Sequence, residues 1–444
     1  MKILIAGAGE VGKHLAKLLS RESQDIVLLD DDDEKLNIPY TSEIMTVKGN
    51  PTSLADLKNA GVSQADMFIA ITPEETTNIT ACLLATNLGA KTTIARVSNN
   101  EYMLPKNMDF FAKIGVDSLI CPEELAAAEI LNALKTPWSR QWWELAGGEL
   151  ILIGAKVRDN APLVDRMLME FALEERFYHI VAIKRDEETI IPRGVDRIQS
   201  GDILFFTTTP QYVNHIKTLA GKDKINIKLV TIMGGSRIAQ KVAERLPDNI
   251  HIKILEKDRD KSYQLAEKVR SNVLVINGDG RNNELLIREN IKDCDAFIAL
   301  TGNSEANILA CVTAKNFGVP KTVAEVENID YIRMAEKLDI GTVINKKLIA
   351  ASHIYRFLLN ADVSTVKCMT FANAEVAELI ARRNSKITRK PVKELRLPAG
   401  MTLGGRIRDD KAEIIDGDTQ IKAGDHVVVF CLDTSMRKIE DYFN

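Results

Sequence analysis

Residues 1–19 read MKILIAGAGEVGKHLAKLL, and residues 228–246 read KLVTIMGGSRIAQKVAERL. Each runs from a short apolar strand through small residues into an amphipathic helix, the pattern of a strand–glycine loop–helix turn. The first has Gly7, Gly9 and Gly12 in register; the second keeps Gly234 but has Ser236 and Ala239 at the other two places. One chain thus carries two versions of a nucleotide loop, one intact and one altered.

The likeness extends well beyond the loops. DIVLLD, ending at Asp30, is matched by IHIKILE, ending at Glu256, and Gly49-Asn50 by Gly278-Asp279. ADMFIAITPEETTNITACLLATNLGAK is matched by CDAFIALTGNSEANILACVTAKNFGVP, pairing Thr72 with Thr301 and Asn78 with Asn307. TTIARVSNNEY, ending at Tyr102, pairs with TVAEVENIDY, ending at Tyr331. Each half reads as five strands alternating with helices, which predicts a parallel sheet with right-handed crossovers covered on both faces. A repeat of this length is the dominant signal in the chain.

Each half then continues into short strands. ELILIGAKV, HIVAIKR, TIIPRG and RIQSGDILFFTT lie in the first, and AEIIDGDTQIKAGDHVVVFCL in the second, with Gly201-Asp202 matching Gly424-Asp425. QYVNHIKTLAG and TSMRKIEDYF close the two segments as expected helices. The expected fold is α/β: two Rossmann-like doubly wound parallel-sheet domains, each followed by a small α+β subdomain, in tandem duplication. The boundaries fall at 1–135, 146–222, 225–345 and 362–444. Apolar helical stretches near 122–135 and 344–360 precede the small domains. Their spacing fits helices that pack on another surface, either between domains of the chain or across to a partner subunit.

The glycine loop alone is a weak signal, but here it follows a strand, opens a helix, and is answered by an acid ending the next strand. Asp30 lies 18 residues beyond Gly12, near the separation of about 20 found in dinucleotide sites. Gly7 would permit the turn, Gly9 the close approach of backbone to a pyrophosphate, and Gly12 close packing of helix on sheet. The phosphates would rest on free N–H groups at the helix N-terminus. Asp30 would accept ribose hydroxyls, and the run Asp30–Asp33 should repel a 2′-phosphate, favouring NAD(H) over NADP(H). Asn50, Thr72 and Pro73 follow strand ends, where ligands of open α/β sheets bind, and Arg96 could hold a phosphate through its fork.

The second loop differs in charge as well as shape. Arg237 replaces Glu10 and Glu325 replaces Arg96, while Glu256 keeps the ribose acid. Ser236 puts a side chain where backbone should meet phosphate, although its hydroxyl could itself bond one; Ala239 is a tolerated third glycine. This pocket is expected to bind a different ligand, bind weakly, or stay empty.

The 444 residues are too many for one core. Apolar residues make up 45%, charged residues 27%, and the net charge is −4, which argues against a nucleic-acid binder. No apolar run approaches the ~18 residues of a membrane span, and the chain opens on a strand without a signal-peptide pattern, so a cytoplasmic location is expected. The six cysteines are scattered and form no CxxC pair, so neither disulfides nor a metal site is expected. None of the six histidines sits in a recognisable catalytic arrangement. A nucleotide pocket without catalytic residues suggests a sensor, in which ligand shifts a conformational equilibrium. The competing readings are a soluble NAD-dependent oxidoreductase with an unidentified substrate, and a ligand-responsive scaffold.

The order GAGEVG with Asp30, GDILFF, GGSRIA and GDHVVVF resembles, over essentially the whole chain, the cytosolic NAD-binding subunits of Trk-type potassium uptake systems. Each half is similar to a domain that regulates the conductance of potassium, with N and C subdomains. The resemblance implies a non-enzymatic regulatory subunit that gates a membrane-embedded potassium translocating partner from the cytoplasmic face of the inner membrane. It also implies a homo-oligomeric, tetrameric ring and binding of NAD(H), ATP or ADP. The contacts it implies are Gly7, Ala8, Gly9, Glu10, Val11, Asp30, Asn50, Thr72, Pro73 and Arg96 in the first half. In the second they are Gly234, Gly235, Ser236, Arg237, Ile238, Glu256, Gly278, Asp279, Thr301 and Gly302.

Overall fold

The computed structural model of the chain describes residues 1–20, 24–37, 44–172, 177–356, 363–369, 374–398, 400–432 and 436–444. The first half runs β1 (Lys2–Ala6), α1 (Glu10–Ser20), β2 (Asp25–Asp30), α2 (Asp33–Leu36), β3 (Ile44–Lys48) and α3 (Leu54–Asn59). It continues through β4 (Met67–Ala70), α4 (Glu75–Asn87), β5 (Thr93–Arg96), α5 (Pro105–Lys113), β6 (Ser118–Ile120) and α6 (Pro122–Lys135). The strands form one parallel sheet in the order β3-β2-β1-β4-β5-β6, the doubly wound arrangement with its switch point between β1 and β4. The central strands are apolar without alternation because helices cover both faces. Leu4, Ala6 and Phe68 pack with Ala81, Cys82 and Ala85 of α4, while Ile3 and Ile5 are equally buried. The sixth strand, β6, was not expected; three residues are too few to show a period.

The first small domain comprises β7 (Gln141–Leu145), β8 (Leu150–Lys156), α7 (Leu168–Ala172), β9 (Tyr178–Arg185), β10 (Glu188–Ile190), β11 (Ile203–Thr208) and α8 (Val213–Leu219). Its antiparallel sheet has the order β10-β9-β11-β8-β7. The Gly-Asp pair before β11 is a structural clamp. Asp202 is buried and takes two bonds from the Arg185 guanidinium, at 2.9 and 2.8 Å, and one from the Gln199 N–H at 2.8 Å. Bidentate charge-assisted bonds of this kind fix a turn firmly.

The second half repeats the plan. Its elements are β12 (Leu229–Met233), α9 (Arg237–Arg245), β13 (His251–Glu256), α10 (Arg259–Ala266), β14 (Val273–Asn277) and α11 (Asn283–Arg288). There follow β15 (Ala296–Ala299), α12 (Ser304–Asn316), β16 (Lys321–Glu325), α13 (Ile329–Lys337), β17 (Thr342–Ile344) and α14 (Lys346–Arg356). Sheet order β14-β13-β12-β15-β16-β17 is the first order again. The last domain holds β18 (Val363–Met369), β19 (Ala374–Ile380), β20 (Met401–Arg408), β21 (Lys411–Ile414), β22 (His426–Leu432) and α15 (Met436–Phe443). Its order β18-β19-β22-β20-β21 is that of the first small sheet read in reverse. The clamp recurs too: Asp425 takes Arg408 at 2.7 and 2.6 Å and the Lys422 N–H at 2.8 Å.

The two small sheets share a core. Trp143, Leu150, Leu152 and Phe205 of the first pack with Val376, Val428 and Phe430 of the second, the Phe205 and Phe430 ring centroids lying 6.3 Å apart. The Thr207 hydroxyl donates to the Gly404 carbonyl at 2.8 Å, and a Cβ at Gly404 would lie 2.6 Å from the Thr207 methyl group. Of the two apolar helices before the small domains, α14 finds a partner surface within the chain. Helix α14 packs on α1 and belongs to one compact unit with Met1–Leu125, whereas α6 from Ala126 groups with the other unit. The helical reading of 357–360 and the first residues of the closing TSMRKIEDYF stretch lie outside the described residues. Truncating the shared core at Phe430→Ala is expected to cost about 3–5 kcal/mol, seen as a lower denaturant midpoint for the unit containing both small domains; an unchanged midpoint would mean that the sheets are not mutually stabilised.

Candidate functional site

The intact loop is held from below by its acid. Asp30, buried at the end of β2, accepts the Ala8 N–H at 2.6 Å through one oxygen and the Asp32 N–H at 3.0 Å through the other. Each oxygen retains a second lone pair, so a ribose hydroxyl is still within its capacity. Lys35 stands 3.8 Å away. The loop itself needs its glycines for different reasons. Gly7 has φ 113°, and an added Cβ would lie 3.0 Å from the Thr72 nitrogen. At Gly12 a Cβ would lie 1.9 Å from the Gly7 carbonyl oxygen, so helix and loop touch there. At Gly9 a Cβ would meet nothing within 4 Å. The protein's own packing gives no reason for glycine at this exposed position, whereas the close approach of a ligand would. Beyond it, α1 presents its first-turn N–H groups and dipole to the same space.

The neighbouring strand ends are fastened by a residue outside the expected contact set. Asn78, fully buried on α4, accepts the Thr72 N–H and hydroxyl at 2.9 and 2.8 Å and donates to the carbonyls of Thr72 and Arg96 at 3.0 and 2.9 Å. One amide thus ties the ends of β4 and β5 together. The spacing of six between Thr72 and Asn78, repeated in Thr301 and Asn307, is the trace of this clamp in the sequence. Asn307 repeats it bond for bond, including the link to the Glu325 carbonyl at 2.8 Å.

Asn50 is turned toward its own loop, its Oδ1 accepting from the Thr52 N–H and hydroxyl at 2.8 Å each. Pro73 is exposed beside Thr72, and Val11 is half-buried on α1. Arg96 is half-buried and reaches Glu123 of α6 at 3.4 Å. Glu10 is exposed at the helix start, 3.4 Å from Lys347 of α14. Gly7, Ala8, Asp30, Thr72 and Arg96 therefore gather at the carboxyl ends of the strands at the switch point. Glu10 links that mouth to the helix leading out of the second half.

The second half keeps the frame but fills the anion cradle. Glu256 accepts the Gly235 N–H at 2.8 Å and the Asp258 N–H at 2.9 Å, with Lys261 at 3.0 Å. Burial pushes this carboxyl up, but the two N–H groups and the ammonium outweigh it and hold it below the ordinary glutamate range. Gly234, with φ 95°, packs against Leu300 and Thr301 as Gly7 does against Ile71 and Thr72. Ser236 departs from Gly9 in function as well as bulk. It is the N-cap of α9, and its hydroxyl accepts the Ala239 N–H at 3.3 Å, so a helix-terminal donor that an anion would need is already occupied. Arg237 is exposed, Ile238 is buried, and Gly302 lies in open space. Asp279, beside Gly278, is bound through both oxygens by Arg281 at 2.9 and 2.6 Å, which holds its carboxyl down near about 2. Among the described residues no group of three His, Cys, Asp or Glu side chains is placed to hold a metal.

The family model of the TrkA-N domain matches residues 3–122 and 230–346, and that of the TrkA-C domain matches 152–221 and 376–444. The Trk system potassium uptake protein TrkA of Halomonas elongata is 31% identical, covering 99% of this chain and 97% of its own. That of Haemophilus influenzae is also 31% identical, covering 100% and 98%. These relatives are named for potassium uptake rather than for a reaction. Among solved structures, the GsuK RCK domain superposes with a TM-score of 0.61 at 16% identity, covering 100% of this chain and 94% of that one. The GsuK channel bound to NAD gives 0.60 at 16%, covering 100% and 78%. These two matches establish the fold.

The two loop glycines separate packing from binding. Gly12→Ala drives a methyl into the Gly7 carbonyl and should cost about 1–3 kcal/mol of stability. Gly9→Ala should leave the thermal unfolding midpoint within error of wild type. Equal losses in the two variants would show that Gly9, too, is there for packing.

Proposed function

Since the chain belongs to the TrkA family of Trk-system potassium uptake proteins, we propose that it is a nucleotide-sensing regulatory subunit that gates a membrane-embedded potassium translocator. The observation that carries the reading is the open space above Gly9, framed by the Asp30-held loop and the N-terminus of α1. A dinucleotide such as NAD(H) would place its pyrophosphate over Gly9 and its ribose on Asp30. ATP or ADP would use the same cradle with fewer contacts. The remaining proposed contacts are those given above for the first half; in the second half, Gly234, Gly235, Glu256, Gly278 and Thr301 preserve the frame of a weaker site.

The path from ligand to partner follows from what touches α1. Phosphate at its N-terminus competes for the same few ångströms as Glu10, and Glu10 is held by Lys347. Helix α14 packs on α1, so a change at the loop would be felt by α14. No helix among the described residues is long and apolar enough to cross a membrane, so ion passage would belong to the partner. The protein would work as a ring of four identical subunits, peripheral on the cytoplasmic face of the inner membrane.

Calorimetric titration of the purified chain should give binding of NADH and ATP without turnover of either. Gly9→Val should weaken NADH at least tenfold while leaving the unfolding midpoint in place. Metabolite-dependent oxidation of bound NADH that Asp30→Ala abolishes would instead favour an oxidoreductase. Ser236→Gly should strengthen nucleotide binding in the second half, because it frees the Ala239 N–H as well as the space; no change would shift the defect to Glu325.

A further inference from the structure

A cluster of cations lies where the first small domain meets the second Rossmann domain, and neither the nucleotide sites nor the sheet cores use it. Asp339 follows α13, one turn beyond Glu336. Asp339 receives Arg140, whose other nitrogen reaches the Gly341 carbonyl at 2.5 Å, together with Lys156 at 3.1 Å and Lys315 at 2.8 Å. Glu336 is already taken by Lys184, with both oxygens at 2.6 Å. Lys321 is buried and donates only to the Ser139 carbonyl and the Thr342 hydroxyl, each at 2.9 Å. Lys222, just past α8, makes no ion pair among the described residues. Three cationic side chains therefore share the Asp339 carboxylate, while Lys222 and Lys321, close enough to feel the charge of Arg140, have no contact with it.

Mutual repulsion is visible in the four lysines, whereas Arg140 is lowered by burial and feels the favourable charge of Glu336. Burial, then the charges of Arg158, Arg140, Lys156 and Lys315, pulls Lys222 down to about 8. Burial, then Arg140 and Lys222, pulls Lys321 down to about 7. Lys156 and Lys315 are likewise lowered, by burial first and neighbouring cations second. A junction selected only for docking would pair such charges, since an uncompensated buried charge is destabilising. Asp339 also adopts a left-handed backbone, φ 54°, where the first half has Gly115. Aspartate is one of the few residues other than glycine that take this conformation, and its carboxylate still leaves the cluster cationic. The cluster is reachable: the side chains of Lys156, Lys315 and Asp339 are each more than a third exposed.

We propose that Arg140, Lys156, Lys222, Lys315 and Lys321 form a binding site for a diphosphate-bearing anion that bridges the first small domain and the second Rossmann domain. Asp339, with Glu336 shared between Lys184 and the charge of Arg140, leaves the cluster in cationic excess, whereas a diphosphate carries several negative charges and enough acceptor oxygens for ammonium and guanidinium groups together. The diphosphate could be free or part of a nucleotide. Because both walls supply ligands, occupancy would tighten the junction between the two domains.

The test uses the full chain with saturating NADH present, so that the glycine-loop site is occupied. Millimolar pyrophosphate should raise the thermal unfolding midpoint by about 2–4 °C over sodium chloride of equal ionic strength. Lys156→Gln/Lys222→Gln should lose that shift while keeping NADH binding; Lys292→Gln, an exposed control, should keep it. Lys222→Glu should unfold higher than wild type without anion and respond to none. ADP titrated in parallel distinguishes the sources: an equal shift indicates recognition of the diphosphate alone, and a larger one, still lost in the double variant, a nucleotide. A wild-type response no greater than that to chloride, or one of equal size in the double variant, would overturn the proposal.

Discussion

The bond from the Ala8 N–H to the Asp30 carboxylate, 2.6 Å long, is the contact on which the first site depends. It fixes the height of the glycine loop above the sheet, and with it the direction in which α1 presents its N-terminus. It also joins β1, the loop and β2 at one point, on the edge of the switch between β1 and β4. Glu256 and Gly235 repeat it at 2.8 Å in the second half. The frame can therefore survive while the ligand surface changes, because the acid stabilises the loop whether or not a ribose is present.

The halves diverge at the helix start. Gly9 leaves the first-turn donors of α1 uncapped by its own side chain, while Ser236 caps α9 from within. A cap of this kind is worth about 1 kcal/mol, and it stabilises the second half without ligand at the expense of an anion's best donors. The intact half thus keeps a helix end suited to an external anion, and the altered half satisfies its own. That division fits a protein in which one site responds and its duplicate supports.

Much of this was legible in the sequence. The strand–helix alternation, the duplication and the pairing of Asp30 with Glu256 follow from period and spacing, because helices on both faces force apolar strands and a parallel ladder. The glycine loop was legible because only a few residues tolerate φ near 113°. The six-residue spacing from Thr72 to Asn78 was visible, but its meaning was not: an amide that ties two strand ends reads like any polar helix residue until both carbonyls are seen. β6 and β17, three residues each, were too short for a pattern. The meeting of Phe205 with Phe430 was not legible, since a period of two names a face and not the sheet it meets. The destination of α14 was likewise open, because an apolar stripe fits α1 of the same chain as well as a partner subunit. Ser236 is the sharpest case. Its hydroxyl could reach a phosphate or cap its own helix, and local geometry decided for the cap.

The central claim is that nucleotide at the Gly9 cradle controls ion movement through a partner. It is tested most directly by rubidium or potassium uptake into vesicles that hold the purified translocator, with this chain added in the presence of NADH, ATP or neither. The account predicts a flux that depends on the added chain and changes between NADH and ATP, with that dependence lost in Gly9→Val although the variant still binds the vesicles. Flux that ignores nucleotide, or that responds equally with Gly9→Val, would contradict it.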